Sequence, residues 1–573
     1  MAAVAAVAAS VVVKHTFVLA HLRFVPTRSL VSEVRIAHLC NETLVTVANG
    51  RLPGLAVEVT ERDAIAVHVV NKSPHNITIH WHGLKQRLNC WADGVPSVTQ
   101  CPIRPGHNLT YRLNVTGQEG TLWWHAHVSC LRASLHGAFV VRPRRAYPFP
   151  KPDKEIPIVI GEWWNLNLAQ LAKNMGDGCY DDSSSATTIN GKLGDLYNCS
   201  VKVYWILLSI PGKTYLLRLV NAALYSEYYV KIAGHRFTVV GADANYVHPF
   251  ATDVVAIGPG ETVDALVVAD AAPGRYYMVA LGGQAPKPDI QIPETRSRAT
   301  VRYTSGGGGE APPPVAPEMP DQHDYMVSFN FHCNMSSLRR RHPRPPPRAD
   351  ESLFVALRMG SVCRGGRASC KRSGSKESII VETMNNLRTL PDRPARPFNF
   401  TDRALIPWGP NEAWLEPTEK AAAARRLRHG AVVDVVFQNT AVVDTDNHPM
   451  HLHGHDVFVL PQGHDNYDAA RDAARYNLVD PPLKNTVLVP RLGWAAVRFV
   501  ADNPGVWYMR CHYEFHLSMG MAAIFIVEDG PTESTSLPAP PSEFLTCNHA
   551  HRLVPNELYL KNTNTTGARV NEA

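Results

Sequence analysis

The sequence predicts an all-β protein in which one sandwich-type domain is repeated three times. The first sign is a recurring apolar strand that ends in asparagine. It reads Val67-His68-Val69-Val70-Asn71, then Leu216-Leu217-Arg218-Leu219-Val220-Asn221, then Val433-Asp434-Val435-Val436-Phe437-Gln438-Asn439. The second sign is a later strand opened by glycine, found as Gly120-Thr121-Leu122-Trp123-Trp124-His125-Ala126-His127 and as Gly505-Val506-Trp507-Tyr508-Met509-Arg510-Cys511-His512. The middle copy offers Gly274-Arg275-Tyr276-Tyr277-Met278-Val279-Ala280. Between these blocks, apolar segments alternate with Gly, Pro and Asn turns, as sandwich strands do.

The repeat divides the chain in order. Residues 1–30 form an N-terminal segment whose Met1 to Val13 run of Ala and Val suits a signal sequence, although it lacks a positive start and is interrupted at Lys14. Residues 31–148 form the first domain and 149–304 the second, with an irregular stretch expected from His15 to Ala37. Residues 305–320, with Ser305-Gly306-Gly307-Gly308-Gly309 and Pro312-Pro313-Pro314, read as a solvated linker. Residues 321–550 form the third domain, with an exposed basic and proline-rich loop at Arg339 to Pro347, and 551–573 a tail.

At 573 residues there is room for two to four domains, each with its own core. With 45% hydrophobic and 19% charged residues, the chain is of ordinary globular composition and not disordered. A net charge of +6 is mild for this length, and no Lys/Arg run is interleaved with aromatics, which argues against a nucleic-acid partner. No uninterrupted apolar stretch of about 18 residues is present, so no membrane span is expected.

Histidine clusters in the outer two copies carry the chemistry. They are His80-Trp81-His82-Gly83, His125-Ala126-His127, His448-Pro449-Met450-His451-Leu452-His453-Gly454 and Cys511-His512-Tyr513-Glu514-Phe515-His516. Histidines spaced i, i+2 on a strand share a face, so a pair can hold one metal or bridge two. Neutral imidazole suits copper, and a thiolate with two imidazoles suits a blue-copper electron-transfer centre. The middle copy has no such pair, so a metal cluster shared between the first and third domains follows. Aligning the repeats places Arg510 where the first copy has His125.

Of eleven cysteines, Cys511 reads as a ligand. The other ten (Cys40, Cys90, Cys101, Cys130, Cys179, Cys199, Cys333, Cys363, Cys370 and Cys547) are even in number and available for disulfides. Glycosylation sequons at Asn41, Asn71, Asn76, Asn108, Asn114, Asn198, Asn334, Asn399 and Asn564 are dense enough to argue for secretion.

With these four blocks in this order, and Trp91-Ala92-Asp93-Gly94 following the first, the chain resembles the multicopper oxidases, and most closely the plant laccases, from about Cys40 to Asp529. The resemblance implies three consecutive cupredoxin-like Greek-key β-barrel domains and four coppers. It implies a mononuclear blue copper on His448, Cys511 and His516, with Met521 at the weak axial position where many plant laccases carry leucine. It implies a type 2 copper on His80 and His451, and one type 3 copper on His82, His125 and His512. The other type 3 copper would take His127, His453 and a third histidine whose place is held by Arg510. A guanidinium has no lone pair to offer. Asp93 and Glu514 match acids that supply protons near the cluster, whereas His136 and His455 fall outside the ligand positions and read as structural.

The activity implied is a secreted, apoplastic oxidase. It would take one electron from each of four phenols, such as lignin precursors or lignin-derived phenolics, and reduce dioxygen to water. Phenols would dock at an exposed edge of His516 or His448. A monomer, with cell-wall association, is expected. An ascorbate oxidase and a copper-binding glycoprotein disabled by Arg510 are the alternatives.

Overall fold

The computed structural model describes residues 12–18, 30–96, 98–176, 183–197, 205–206, 211–287, 289, 291–303, 313–338, 344–363, 378–384, 424–440 and 446–541. Strands dominate it, with short helices at Leu168–Gly176, Tyr325–Cys333, Ala469–Asp472 and Glu514–Met519. The all-β reading holds.

The repeat is visible in the sheets. The middle domain has a six-stranded sheet in the order Ala186–Ile189, Lys154–Trp163, Thr214–Asn221, Thr262–Val268, Phe237–Ala242, Asn245–Thr252. Facing it is a five-stranded sheet ordered Trp205–Ile206, Arg296–Arg302, Arg275–Gly282, Tyr228–Ile232, Val255–Ile257. The third domain repeats both. Its six strands run Ser378–Met384, Glu351–Cys363, Val432–Asn439, Gly493–Val500, Val457–His464, Leu483–Lys484. Its five run Ala424–Leu427, Ala522–Val527, Gly505–Cys511, His448–Leu452, Thr486–Val489. In the first domain, Ile79–His82, Gly120–Ala126, His136–Arg142 and Val57–Thr60 make a four-stranded sheet.

The recurring asparagine explains why the repeat is legible. Asn71, Asn221 and Asn439 are each fully buried at the end of equivalent strands. The Asn71 amide donates to His75 O and Ile103 O, and that of Asn221 to Ser226 O and Ile257 O. That of Asn439 donates to Asp446 O. In each copy the side chain satisfies the carbonyls of the loop that follows, a demand that buried backbone always makes. This role removes Asn71 from the glycosylation candidates, because its amide nitrogen is buried and already bonded. Asn41, Asn76, Asn108, Asn114 and Asn334 are exposed, and Asn198, Asn399 and Asn564 lie outside the described residues.

Two other expectations are corrected. The segment read as irregular is regular in two places: Val12–Val18 pairs in parallel with Ala64–Val70, and Val31–His38 forms a hairpin with Asn41–Ala48. Val34 and Ile36 of that hairpin pack with Val45 and Val47 against Trp163 of the middle domain, which gives the strand an apolar face to bury. The linker is solvated only in part. Val315 donates to Arg275 O and accepts from Tyr277 N, extending the middle domain, while residues 304–312 lie outside the described part. The basic loop lies partly outside it as well, at 339–343.

Cys90, Cys130 and Cys333 are free thiols, whereas Cys40 and Cys101 are disulfide-bonded. Cys179, Cys199, Cys370 and Cys547 fall outside the described residues. Cys90 and Cys130 act as small core residues.

One buried charge cluster joins the middle domain to the helix Tyr325–Cys333. His332 Nε2 lies 3.0 Å from Glu261 Oε2, and Lys484 Nζ lies 2.8 Å from Glu261 Oε1. Burial opposes charge on His332, but the Glu261 carboxylate outweighs it and holds the histidine pKa above its ordinary 6.5. A raised histidine pKa stabilises the fold fully below the ordinary value, and that stabilisation is lost as pH rises through the raised one. The Tm is therefore expected to fall as pH rises above the ordinary histidine value of 6.5, and the His332→Gln variant to show a flatter profile there.

Candidate metal centre

Strand pairing builds the site. Ile79–His82 lies antiparallel to Gly120–Ala126, with His80 opposite His125. In the third domain, His448–Leu452 lies antiparallel to Gly505–Cys511, with His451 opposite Arg510. Arg510 thus occupies in the third domain the place of His125 in the first, as the repeat alignment predicts. Period-two alternation then turns His80 with His82, and His451 with His453, to one face.

Where the two domains meet, seven imidazoles converge: His80, His82, His125, His127, His451, His453 and His512. All are buried. His82 stacks on His451 with ring centres 3.7 Å apart, and His80 lies 4.0 Å from His453. Ring nitrogens of His82, His125 and His512 lie within 4.8 Å of one another, as do those of His80, His82 and His451. His127 and His453 face each other with ring centres 5.4 Å apart, and both meet the edge of Tyr508. The ring of His80 neighbours both, with centres 5.4 Å from His127 and 4.0 Å from His453.

Hydrogen bonds assign the ring protons. Nδ1 of His80 donates to Asp93 O at 2.6 Å, that of His451 to Asn485 O at 2.7 Å, and that of His453 to Asp93 Oδ2 at 2.9 Å. Nδ1 of His125 donates to Ala126 O at 2.8 Å. Each leaves Nε2 with a lone pair, and these Nε2 atoms, with that of His127, are buried without a protein partner among the described residues. Burial holds His82, His125, His127, His451, His453 and His512 well below the ordinary histidine pKa. A cluster of neutral imidazoles with inward lone pairs is suited to a metal and costly without one.

Arg510 enters this cluster. It is 1% exposed, and its Nη2 lies 3.2 Å from His512 Nε2, while Nε and Nη1 have no partner among the described residues. Burial and the neighbouring Arg132 push its pKa down to about 10, which leaves it charged at neutral pH. Its N–H therefore competes with a metal for the His512 lone pair.

Arg132, which the sequence reading missed, grips His512 from behind, with Nη1 2.8 Å from His512 Nδ1 and Nη2 2.9 Å from His512 O. Its one visible signal is an isolated charge in the otherwise apolar Cys130-Leu131-Arg132-Ala133 run. Neutral imidazole has one acceptor nitrogen, so Arg132 and Arg510 cannot both donate to it in full. Gly260 backs the same ring. At φ +93°, a Cβ there would lie 2.9 Å from His512 Cδ2 and Cγ. Gly260→Ala is expected to displace His512, adding about 1–3 kcal/mol of strain, which thermal unfolding and cluster copper content would both register.

A second donor group lies one residue away in the chain. Cys511 Sγ is 3.7 Å from His448 Nδ1 and 3.6 Å from His516 Nδ1, and the two rings approach to 3.2 Å. Burial pushes His448 down to about 3 and His516 well below its ordinary value, so both are neutral. His516 is carried by the helix Glu514–Met519, which Gly520 ends in a left-handed turn. Buried Met521 returns the chain to Cys511, its O accepting from Cys511 N at 3.1 Å and its N donating to His516 O.

The expected exposed histidine edge is not found: His448 is 0% and His516 1% exposed. The rings of Tyr225 and Tyr513 stand edge-on to His516 and cover it. His136 and His455 stand outside both donor groups, bonded to Arg132 O and His453 O.

Asp93 is fully buried between His80 and His453. Glu514 lines a cavity of about 280 Å³ together with His125, His127, Tyr508 and Arg510. The cavity also meets exposed Ser518, so it joins the cluster to the surface.

This donor arrangement on this fold matches a known class. The family described as multicopper oxidase matches residues 30–146, 154–305 and 389–531. The chain belongs to the multicopper oxidases, which makes it a copper-dependent oxidoreductase. It is 57% identical to laccase-15 of Oryza sativa subsp. japonica, over 95% of each chain, and 43% identical to laccase-24, over 96% of this chain and 98% of that one. These relatives place it among the plant laccases. The fold is similar to that of the laccase from Botrytis aclada (TM-score 0.70, 23% identity, covering 93% of this chain and 89% of that one). It is also similar to that of Fet3p, a multicopper oxidase that functions in iron import (TM-score 0.69, 20% identity, covering 92% and 93%). No helix among the described residues is long and apolar enough to cross a membrane.

Proposed function

We propose that the chain is a secreted laccase that oxidises phenols by one electron each and reduces dioxygen to water, with four copper positions of which one is incomplete. The blue position is His448, Cys511 and His516, with Met521 as weak axial ligand. Copper so held would supply one-electron oxidation at Cys511 and multi-electron chemistry toward dioxygen at the histidine cluster. His80 and His451 form the type 2 position, and His82, His125 and His512 one type 3 position. His127 and His453 are left with Arg510 in place of a third ligand.

The observation that carries the reading is one peptide bond. Cys511 belongs to the buried thiolate group and His512 to the seven-imidazole cluster, so electrons collected at the first have a covalent path to the second. His512 N also donates to Pro449 O at 2.7 Å, next to His448. Asp93 orients His80 and His453, and it and Glu514 are the acids placed to pass protons into the cluster. Tyr225 and Tyr513, which cover His516, are buried and line a cavity that a phenol would enter. The exposed sequons support secretion, and a monomer associated with the cell wall belongs to the same proposal.

Oxygen uptake by the copper-loaded protein on a methoxyphenol and on ascorbate tests this reading. The phenol is expected to be the faster substrate. Faster uptake on ascorbate would make it an ascorbate oxidase. Arg510 favours a second reading, a blue copper glycoprotein without oxidase activity, for which the result would be blue absorbance without oxygen uptake.

A further inference from the structure

The middle domain supplies none of the cluster imidazoles, yet it reaches them. We infer that Asp243 is a positioning residue: acting through Asn485 and Thr486, it sets which ring nitrogen His82 and His451 each turn into the cluster. The inference rests on the copper reading above for its consequence, though not for its geometry.

His82 Nε2 lies 3.1 Å from Asn485 Oδ1 and 2.9 Å from Thr486 Oγ1. The amide oxygen only accepts, so Nε2 carries the proton. That leaves the lone pair on Nδ1, which faces His512 Nε2 at 3.2 Å. His451 is the opposite case. Its Nδ1 donates to Asn485 O at 2.7 Å, so the inward lone pair is on Nε2. Two stacked rings thus take opposite tautomers from one two-residue segment.

Asp243 holds that segment. Its Oδ2 accepts from the backbone N–H groups of Asn485 and Thr486 at 3.2 and 3.1 Å, and Lys484 Nζ stands 3.5 Å from the same oxygen. Oδ1 is tied to Thr262 N at 2.9 Å, so the carboxylate cannot swing. Asp243 and Ala244 both have positive φ, +49° and +58°, in the two-residue turn between Phe237–Ala242 and Asn245–Thr252. A turn with both central residues left-handed fits a tight hairpin, and aspartate tolerates that conformation. The turn is wedged against the first domain as well, since a Cβ on Gly120 would lie 2.9 Å from Ala244 Cα. Around it, Lys484 Nζ lies between Asp243 and Glu261, at 3.5 and 2.8 Å, so removing the Asp243 charge takes from that buried ammonium one of its two carboxylates.

The test compares the copper-loaded protein with Asp243→Asn, which keeps the shape but cannot accept from all four donors. Groups that orient metal-bound histidines typically account for about 10- to 100-fold in metal affinity. A chelator titration is expected to strip the non-blue copper of the variant at about 10- to 100-fold lower chelator, with the blue absorbance unchanged. In metal-free protein labelled with ¹⁵N-histidine, the His82 and His451 signals are expected to lose their single tautomers.

Thr486→Val serves as the second variant. It removes the hydroxyl beside both rings while leaving the Asp243 bonds, and is expected to weaken the same copper. Parent-like tautomers and copper retention in Asp243→Asn would overturn the inference, as would loss of blue and non-blue copper together, which means a general loss of fold. Should the parent hold no cluster copper while Asp243→Asn still changes the tautomers, the copper reading fails and the positioning role stands.

Discussion

Arg510→His is expected to raise bound copper and to raise oxygen uptake on a methoxyphenol at least about 10- to 100-fold. Two effects add. The substitution adds an imidazole lone pair beside His127 and His453, which in the proposed assignment lack a third ligand. It also removes a fixed positive charge whose Nη2 stands 3.2 Å from His512 Nε2. In a partly polar protein interior, like unit charges about 4 Å apart repel by about 4 kcal/mol, and a divalent ion would feel more. Copper analysis and an oxygen electrode on both proteins decide the matter. Four coppers and steady oxygen uptake in the chain as it stands would show that two imidazoles and a nearby arginine suffice.

Cys511→Ser is expected to abolish the blue absorbance and to lower phenol oxidation by several orders of magnitude, with little change in fold. A hydroxyl is a poor, hard ligand for the position that a thiolate fills, and the path to His512 begins at that sulfur. Because Cys511 Sγ lies within 3.7 Å of both His448 and His516, the oxygen of serine fits the space. The absorption spectrum and circular dichroism separate loss of the metal from loss of the fold. Retained oxidase activity would mean that electrons enter the cluster elsewhere.

Much of this was legible in the sequence because its chemistry is local. Strand periodicity places His80 with His82 and His451 with His453, whatever the rest of the chain does. The repeat alignment puts Arg510 in the place of His125, and the strand registers show the same correspondence. The asparagines at 71, 221 and 439 recur because each copy must satisfy the same buried loop carbonyls.

The tertiary structure decided what depends on distant partners. Burial of Asn71 withdraws a sequon, and burial of His516 under Tyr225 and Tyr513 withdraws the exposed histidine edge. Arg132 meets His512 across 380 positions of sequence, and Asp243 reaches Asn485 across 242. Sequence spacing reports which side chains share a strand face. It carries no record of which ring nitrogen keeps its proton, because that depends on acceptors brought up by other domains. The candidate ligand residues were therefore legible in the sequence, and the tautomers and charges of their rings were decided by the packing of three domains against one another.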